Sequence, residues 1–175
     1  MKNYILMGLI AVIGLGITGC LLTSQMTIVE DIDIGVTTSD DVSLYWLDLN
    51  ANEDYLEHKD KIKNVDAISL VAWIYNRTST PVYAEIWVDT DTTYDYSIPD
   101  TVRAHATRIF VSPEIPGDDS LLIDWNDSFQ YMENVDYLEN LVMDVGAFAV
   151  YGLASDIPFD INIIGQIVVT LTVGN

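Results

Sequence analysis

Alternating apolar and polar residues predict that most of the chain after residue 25 is β-strand. In Thr27–Val36, Ile32 and Ile34 share one parity while Asp31 and Asp33 occupy the other, which is the period of two of a half-buried strand. The same alternation runs through Phe159–Val173, where Gly165 is expected to form a β-bulge. Apolar and β-branched runs predict further strands at 42–49, 67–75, 82–88, 101–111, 120–125 and 145–153.

Two segments favour helix instead. Asn52–Lys63 begins with a capping residue, carries Glu53 and Asp54 in its first turn, and ends in three lysines, which suits the helix dipole. Residues 127–144 show three-to-four spacing of apolar side chains and predict a helical insertion in two pieces. Residues 89–100 are polar and predict a loop, and the Pro and Gly of residues 112–119 predict a turn.

The order of these elements predicts one mainly β domain over residues 26–175, an antiparallel β-sandwich with two short helical insertions. The run Ala67–Tyr75 is apolar on both faces and is expected to be a central strand. The stretch Ala67–Trp125, with its turn before Pro81 and its Pro-Gly turn before Ser120, resembles immunoglobulin-like bacterial modules of the adhesion-related (CARDB) type, and also the sandwich of late-embryogenesis-abundant proteins. The resemblance implies an immunoglobulin-like sandwich.

The first twenty residues have the organisation of an export signal. Lys2 precedes an apolar run from Ile5 to Ile17, as in the charged and apolar regions of a secretory signal peptide. The run ends at Ile17-Thr18-Gly19-Cys20, which resembles the lipobox of bacterial lipoproteins. This resemblance implies cleavage before Cys20 and acylation of that residue. The chain then divides into a signal peptide (1–19), a lipidated tether (20–25) and the sandwich (26–175).

A lipoprotein assignment predicts a cell-envelope protein held outside the cytoplasm by lipid. Leu21, which is not Asp, favours the outer membrane if the envelope is Gram-negative, by resemblance to lipoproteins of that class. The alternative is an uncleaved anchor over Tyr4–Leu22, whose 19 uncharged residues approach the length that spans a bilayer. Both readings place the remaining chain outside the cytoplasm.

Charge narrows the range of partners. The 175 residues include 27 Asp plus Glu against 7 Lys plus Arg, for a formal net charge of -20. Such a chain lacks the clustered cations that nucleic-acid binding requires, and its field would repel acidic substrates. We therefore expect no nucleic-acid partner, and we expect the anchored domain to stand away from anionic lipid. Cys20 is the only cysteine of the sequence, which precludes an internal disulfide.

Catalytic motifs are absent from the sequence, and we expect a protein that is not an enzyme. The two histidines, His58 and His105, are predicted to face solvent on a helix and on a strand, respectively. The many carboxylates leave an acidic-pair hydrolase acting on carbohydrate as a formal alternative. Oxygen-bearing side chains at spacing two also imitate a calcium loop; they are Asp89, Asp91, Thr93 and Asp95, with Asp100 further on and a second group at Asp118, Asp119, Asp124 and Asp127.

Aromatic residues complete the list of candidates. Trp73 and Trp87 are predicted to lie on neighbouring strands in the core. Tyr94, Tyr96 and Tyr131 fall in loops or insertions, where their rings could stack on sugars or on a protein partner. The sequence thus predicts a membrane-anchored lipoprotein with a binding, adhesion or envelope-structural role, with a calcium-dependent adhesive module and the hydrolase as alternatives. Cys20 is the one site residue predicted, and no cofactor is expected.

Overall fold

Eight strands make up most of the chain that the computed structural model describes, namely residues 23–36, 41–91, 93–94, 96–154 and 159–174. Cys20 and the whole predicted signal segment lie outside these ranges. The strands are β1 (Thr23–Val36), β2 (Ser43–Asp48), β3 (Ile62–Asn76), β4 (Ala84–Asp89), β5 (Thr107–Val111), β6 (Asp119–Ile123), β7 (Ala147–Ala154) and β8 (Ile161–Gly174).

The strands form two four-stranded antiparallel sheets. Sheet A has the order β1-β8-β3-β6 and sheet B has the order β2-β7-β4-β5. The chain pairs with itself as one long antiparallel hairpin whose two halves fold over into two sheets. Its successive strand pairs, from the turn outward, are β4/β5, β3/β6, β2/β7 and β1/β8. This order is that of a jelly roll.

The predicted mainly β, antiparallel sandwich is therefore confirmed, whereas its immunoglobulin-like type is not. An immunoglobulin sandwich pairs its strands in a different order. The resemblance was carried by the spacing of turns between residues 67 and 125. Spacing of turns is a local property, and the type of sandwich depends on long-range pairs such as β3 with β8, which lie about a hundred residues apart in the sequence.

Short helices connect the strands. They are α1 (Glu53–His58), α2 (Pro99–His105), α3 (Trp125–Tyr131) and α4 (Val135–Asn140). The side chain of Asn52 caps α1 as predicted, by accepting from the Tyr55 N–H at 3.1 Å. The helical region is shorter than predicted, because a 3₁₀ turn over Lys59–Lys61 leads into β3 at Ile62. The two-piece insertion is confirmed as α3 and α4, and a π-helical turn over Leu141–Val145 continues α4.

One predicted strand begins as a helix. Residues 101–111 were expected to be extended, but α2 extends to His105 and β5 begins at Thr107. Pro99 stands in the first turn of α2, where its fixed φ and missing N–H favour helix. Within α2 only Val102 is buried, so the helix shows no amphipathic pattern in the sequence. Arg103 adds polar contacts to the sheet, with the Ala154 carbonyl oxygen at 3.1 Å and Glu85 at 3.5 Å.

The main core lies between the two sheets and is built from the inward parity of each strand. In β8 the buried residues alternate as the sequence predicts, from Ile161 and Ile163 to Val169, Leu171 and Val173. Gly165 does not form a bulge, since its pairing with Ile32 and with Ala72 is in regular register. Glycine is needed there because a Cβ would lie 2.2 Å from the Val71 carbonyl oxygen.

The amino-terminal edge of the sandwich begins earlier than predicted. β1 starts at Thr23 and pairs with Gly174, so residues 23–25 of the predicted tether belong to the sheet. Among residues 23–174, as far as they are described, no helix is long and apolar enough to cross a membrane.

Candidate ligand-binding groove

A third layer covers much of the outer face of sheet B. Tyr96 and Val102, from the segment between β4 and β5, pack on Ala149, Tyr151 and Leu153 of β7 in a cluster separate from the main core. The Tyr96 ring stacks on the Tyr151 ring, with centroids 4.6 Å apart and planes 30° apart. This layer holds Tyr96 and Val102, two residues of the long connection between β4 and β5, against the sheet.

An open groove remains between that layer and the edge strand β2. Leu44 and Trp46 form one wall, and their side chains are 64% and 50% exposed. Tyr94 and Tyr96 form the other wall, and Ala149 and Tyr151 form the floor. The groove has a volume of about 350 Å³. It is lined mainly by apolar and aromatic side chains, as ligand pockets commonly are.

The ring of Tyr94 is held in place although it is 45% exposed. It stacks on His105 of α2, with centroids 3.8 Å apart and planes 13° apart. It also meets Tyr96 edge to face at 5.9 Å. The groove therefore has a pre-positioned aromatic wall whose solvent-facing surface is available for stacking.

A nearly buried carboxylate lies behind this wall. Asp89, at the end of β4, accepts a hydrogen bond from the Tyr96 hydroxyl and another from the Asp91 N–H at 3.0 Å. Burial is the main cause that raises the pKa of Tyr96, and its hydrogen bond to Asp89 adds to the effect. Burial also raises the pKa of Tyr151, with further contributions from the charges of Asp89 and Asp91. Two carboxylates, those of Asp89 and Asp91, thus lie behind the Tyr96 wall of the groove.

The same contacts bear on the calcium expectation. Asp89 is engaged by Tyr96, and Asp91 accepts from the Thr93 N–H at 2.8 Å in a local turn. Hydrogen bonds from Thr93 lower the pKa of Asp91. Asp95 lies outside the described residues. Within the described ranges, no three His, Cys, Asp or Glu side chains lie close enough together to hold a metal ion.

In the second acidic group, two of the carboxylates accept hydrogen bonds from nearby backbone N–H groups. Asp124 caps α3 by accepting from the N–H groups of Asn126 and Asp127, each at 2.8 Å. Asp119 accepts from the neighbouring Ser120 N–H at 2.7 Å. These carboxylates stabilise turns and a helix end.

The histidines lie on two different helices. His58 is on α1, where its Nδ1 lies 2.9 Å from the carbonyl oxygen of Asp54. His105 faces solvent as predicted, but it is on α2 and not on a strand. Its ring stacks on that of Tyr94, which places His105 behind the groove wall.

The tryptophan prediction is wrong. Trp73 is on sheet A and Trp87 is on sheet B, and neither is in the core. Trp73 is 44% exposed on the outer face of sheet A, in register with the exposed side chains of Ile164 and Leu122. Trp87 is half-buried beneath the guanidinium of Arg108, 5.7 Å from its ring.

Sequence reasoning identified one wall of the groove and missed the other. Tyr94 and Tyr96 were singled out for stacking, and both line the groove. Tyr131 instead packs against Phe110 of the main core. Leu44 and Trp46 were missed because strand 42–49 is apolar on both parities. The apolar side chains on the outward-facing positions of this short strand could have indicated a binding surface. The structure shows that the strand lies at the edge of sheet B.

Comparison with known proteins adds little. No protein-family model matches the chain, and no curated protein matches it. A solved structure of Desmodium yellow mottle tymovirus aligns over 87% of this chain and 90% of that chain, with 11% sequence identity and a TM-score of 0.28.

Proposed function

We propose that this chain is a lipid-anchored, extracytoplasmic binding protein of the cell envelope, and that the groove beside β2 is its ligand site. The observation that carries the binding role is the exposed aromatic lining of that groove. Half-exposed Trp46 and Tyr94 face a recess whose floor is part of a packed sheet. Aromatic rings on a rigid support offer contact area at little entropic cost, which is typical of recognition sites.

The anchoring role is supported by the sequence before β1. The lipobox-like tetrapeptide ends at Cys20, and β1 begins three residues later at Thr23. Three extended residues span at most about 11 Å, so an acylated Cys20 would hold the start of β1 close to the bilayer surface. The tether would thus limit the distance to which charge repulsion can move the acidic domain away from anionic lipid. Gly174 pairs with Thr23 and would lie at the same membrane-facing end.

The groove can be tested with two matched tryptophan variants. Trp46→Leu removes a ring from the groove, and Trp73→Leu removes a similarly exposed ring from the outer face of sheet A. The full chain, in a polyoxyethylene detergent that carries no sugar headgroup, is titrated with sugars, organic cations and short peptides. We expect at least one class to bind the wild type and Trp73→Leu, with binding lost in Trp46→Leu. If no class binds, or if both variants behave alike, the groove is not the ligand site.

A further inference from the structure

We infer that the groove recognises an organic cation, of the class of a quaternary or alkylated ammonium group. This inference rests on the proposed function, because it names the ligand class of that same site. Three features carry it: the ring faces that line the groove, the sign of the charge around them, and the absence of a competing cation from the lining.

The ring faces come first. Trp46 on one wall and Tyr94 on the other are both about half exposed, whereas Tyr151 in the floor is buried beneath the stacked ring of Tyr96. His105 occupies one face of Tyr94, so the opposite face is the one open to a ligand. A cation placed within about 6 Å of such ring centroids is attracted by their quadrupoles, most strongly by that of tryptophan.

The charge around the rings has the complementary sign. Asp89 is nine-tenths buried directly behind Tyr96, and it is tied to the hydroxyl of that ring. Asp91 follows two residues later and hydrogen-bonds back to Asp89. A carboxylate in this partly desolvated setting acts on the groove through a lower effective dielectric than water. The whole chain, at a net charge of -20, would also concentrate cations near its surface.

The lining offers no positive charge of its own. None of the described residues that line the groove is Lys or Arg. Two of the arginines of sheet B and its cover are engaged elsewhere: Arg108 pairs with Glu133 at 2.9 Å, and Arg103 lies 3.5 Å from Glu85. An anionic ligand would therefore meet rings and carboxylates without a counter-charge, whereas an ammonium group would be stabilised by both.

The test compares two isosteres that differ in charge. Choline and 3,3-dimethylbutan-1-ol have the same shape, but only choline is a cation. Both are titrated into the full chain in polyoxyethylene detergent by isothermal calorimetry. We expect choline to bind about tenfold more tightly than the alcohol, since cation–π attraction and the carboxylate field act on the charge alone. Trp46→Leu should weaken choline binding about fivefold or more, with Trp73→Leu remaining within about twofold of wild type.

A second variant isolates the carboxylate. Asp89→Asn removes the charge but can keep both contacts, because its amide oxygen can accept from the Asp91 N–H while its amide N–H donates to the Tyr96 hydroxyl oxygen. Choline should therefore bind about threefold more weakly while the alcohol is unaffected. Unchanged melting temperatures would show that each variant is folded. Equal affinity of the two isosteres, or preferential binding of an oligosaccharide, would overturn the cation inference and leave the groove as a ligand site. If the sugars and short peptides also failed to bind, the groove would not be a ligand site and the proposed binding role would be overturned as well.

Discussion

The hydroxyl oxygen of Ser128 accepts a hydrogen bond of 2.8 Å from the backbone N–H of Leu70, in the buried contact between α3 and β3. β6 pairs with β3 only from Ala72 to Asn76, so Leu70 lies just beyond the end of that ladder. The helix thus replaces a strand at this point and covers an edge that would otherwise present an unpaired donor. Helix α3 therefore covers the part of β3 that β6 leaves unpaired.

Removing the Ser128 hydroxyl should destabilise the fold. Ser128→Ala leaves the buried Leu70 N–H without an acceptor, which costs about 1–3 kcal/mol of unfolding free energy. Urea titration measures the difference. Ser24→Ala, at an exposed position of β1, is the control and should fall within about 0.5 kcal/mol of wild type. Equal midpoints for the two variants would show that the Ser128 contact adds nothing.

Gly165→Ala should be far more harmful than Gly35→Ala. At residue 165 a Cβ would lie 2.2 Å from the Val71 carbonyl oxygen, whereas at residue 35 its nearest neighbour would be 3.9 Å away. Overpacking against backbone costs about 1–3 kcal/mol or more, and the Gly35 variant should be close to neutral. Chemical denaturation of both proteins checks the order, and a neutral Gly165→Ala would contradict the close approach.

The turn after β3 should depend on the Asn76 amide. Its Nδ2 donates to the carbonyl oxygens of Thr80, Ile115 and Pro116, at 2.8, 3.2 and 3.0 Å. Asn76→Asp would replace this donor with a buried carboxylate facing three carbonyls, and should cost about 3 kcal/mol or more. Asn126→Asp, at an exposed position, is the matched control. Thermal unfolding measures the difference, and equal melting temperatures for the two variants would contradict this role of Asn76.

Stability should fall at high pH through the groove tyrosines. An unfolded tyrosine has a pKa of about 10, and the folded pKa values of Tyr96 and Tyr151 are raised above this, chiefly by burial. Below pH 10 both tyrosines are protonated in the folded and in the unfolded chain, so their contribution to the free energy of unfolding is fully present. As the pH rises past 10, the unfolded chain loses protons that the folded chain keeps, so each such tyrosine costs about 1.4 kcal/mol per pH unit.

The variant Tyr96→Phe separates this effect from general alkaline unfolding. At pH 7 it should be less stable than wild type by about 1–3 kcal/mol, because Asp89 loses a donor in a nearly buried site. Above pH 10 its unfolding free energy should decline less steeply. Parallel curves of unfolding free energy against pH for the two proteins would show that Tyr96 does not titrate differently in the folded state.

The sequence predicts β8 well but does not predict the groove. The alternation of apolar and polar residues in Ile161–Gly174 could be recognised as a strand, because one face of that strand is packed and the pattern lies within a single segment. The start of α2 was not readable, because only Val102 is buried in it. The groove forms where side chains of β2 meet Tyr94, Tyr96 and the β7 residues Ala149 and Tyr151. That meeting is set by the pairing of Trp46 with Ala149 and by the stack of Tyr96 on Tyr151, neither of which leaves a local signal.

Attachment of the binding domain to a membrane through lipid on Cys20 can be measured by intact-mass spectrometry of the chain purified from cell membranes. We expect a mature chain that begins at Cys20, lacks residues 1–19 and carries acyl chains on that residue. Cys20→Ser should retain its leader and lose the acyl mass. A chain that keeps Met1, or a Cys20 thiol without acylation, would contradict this attachment.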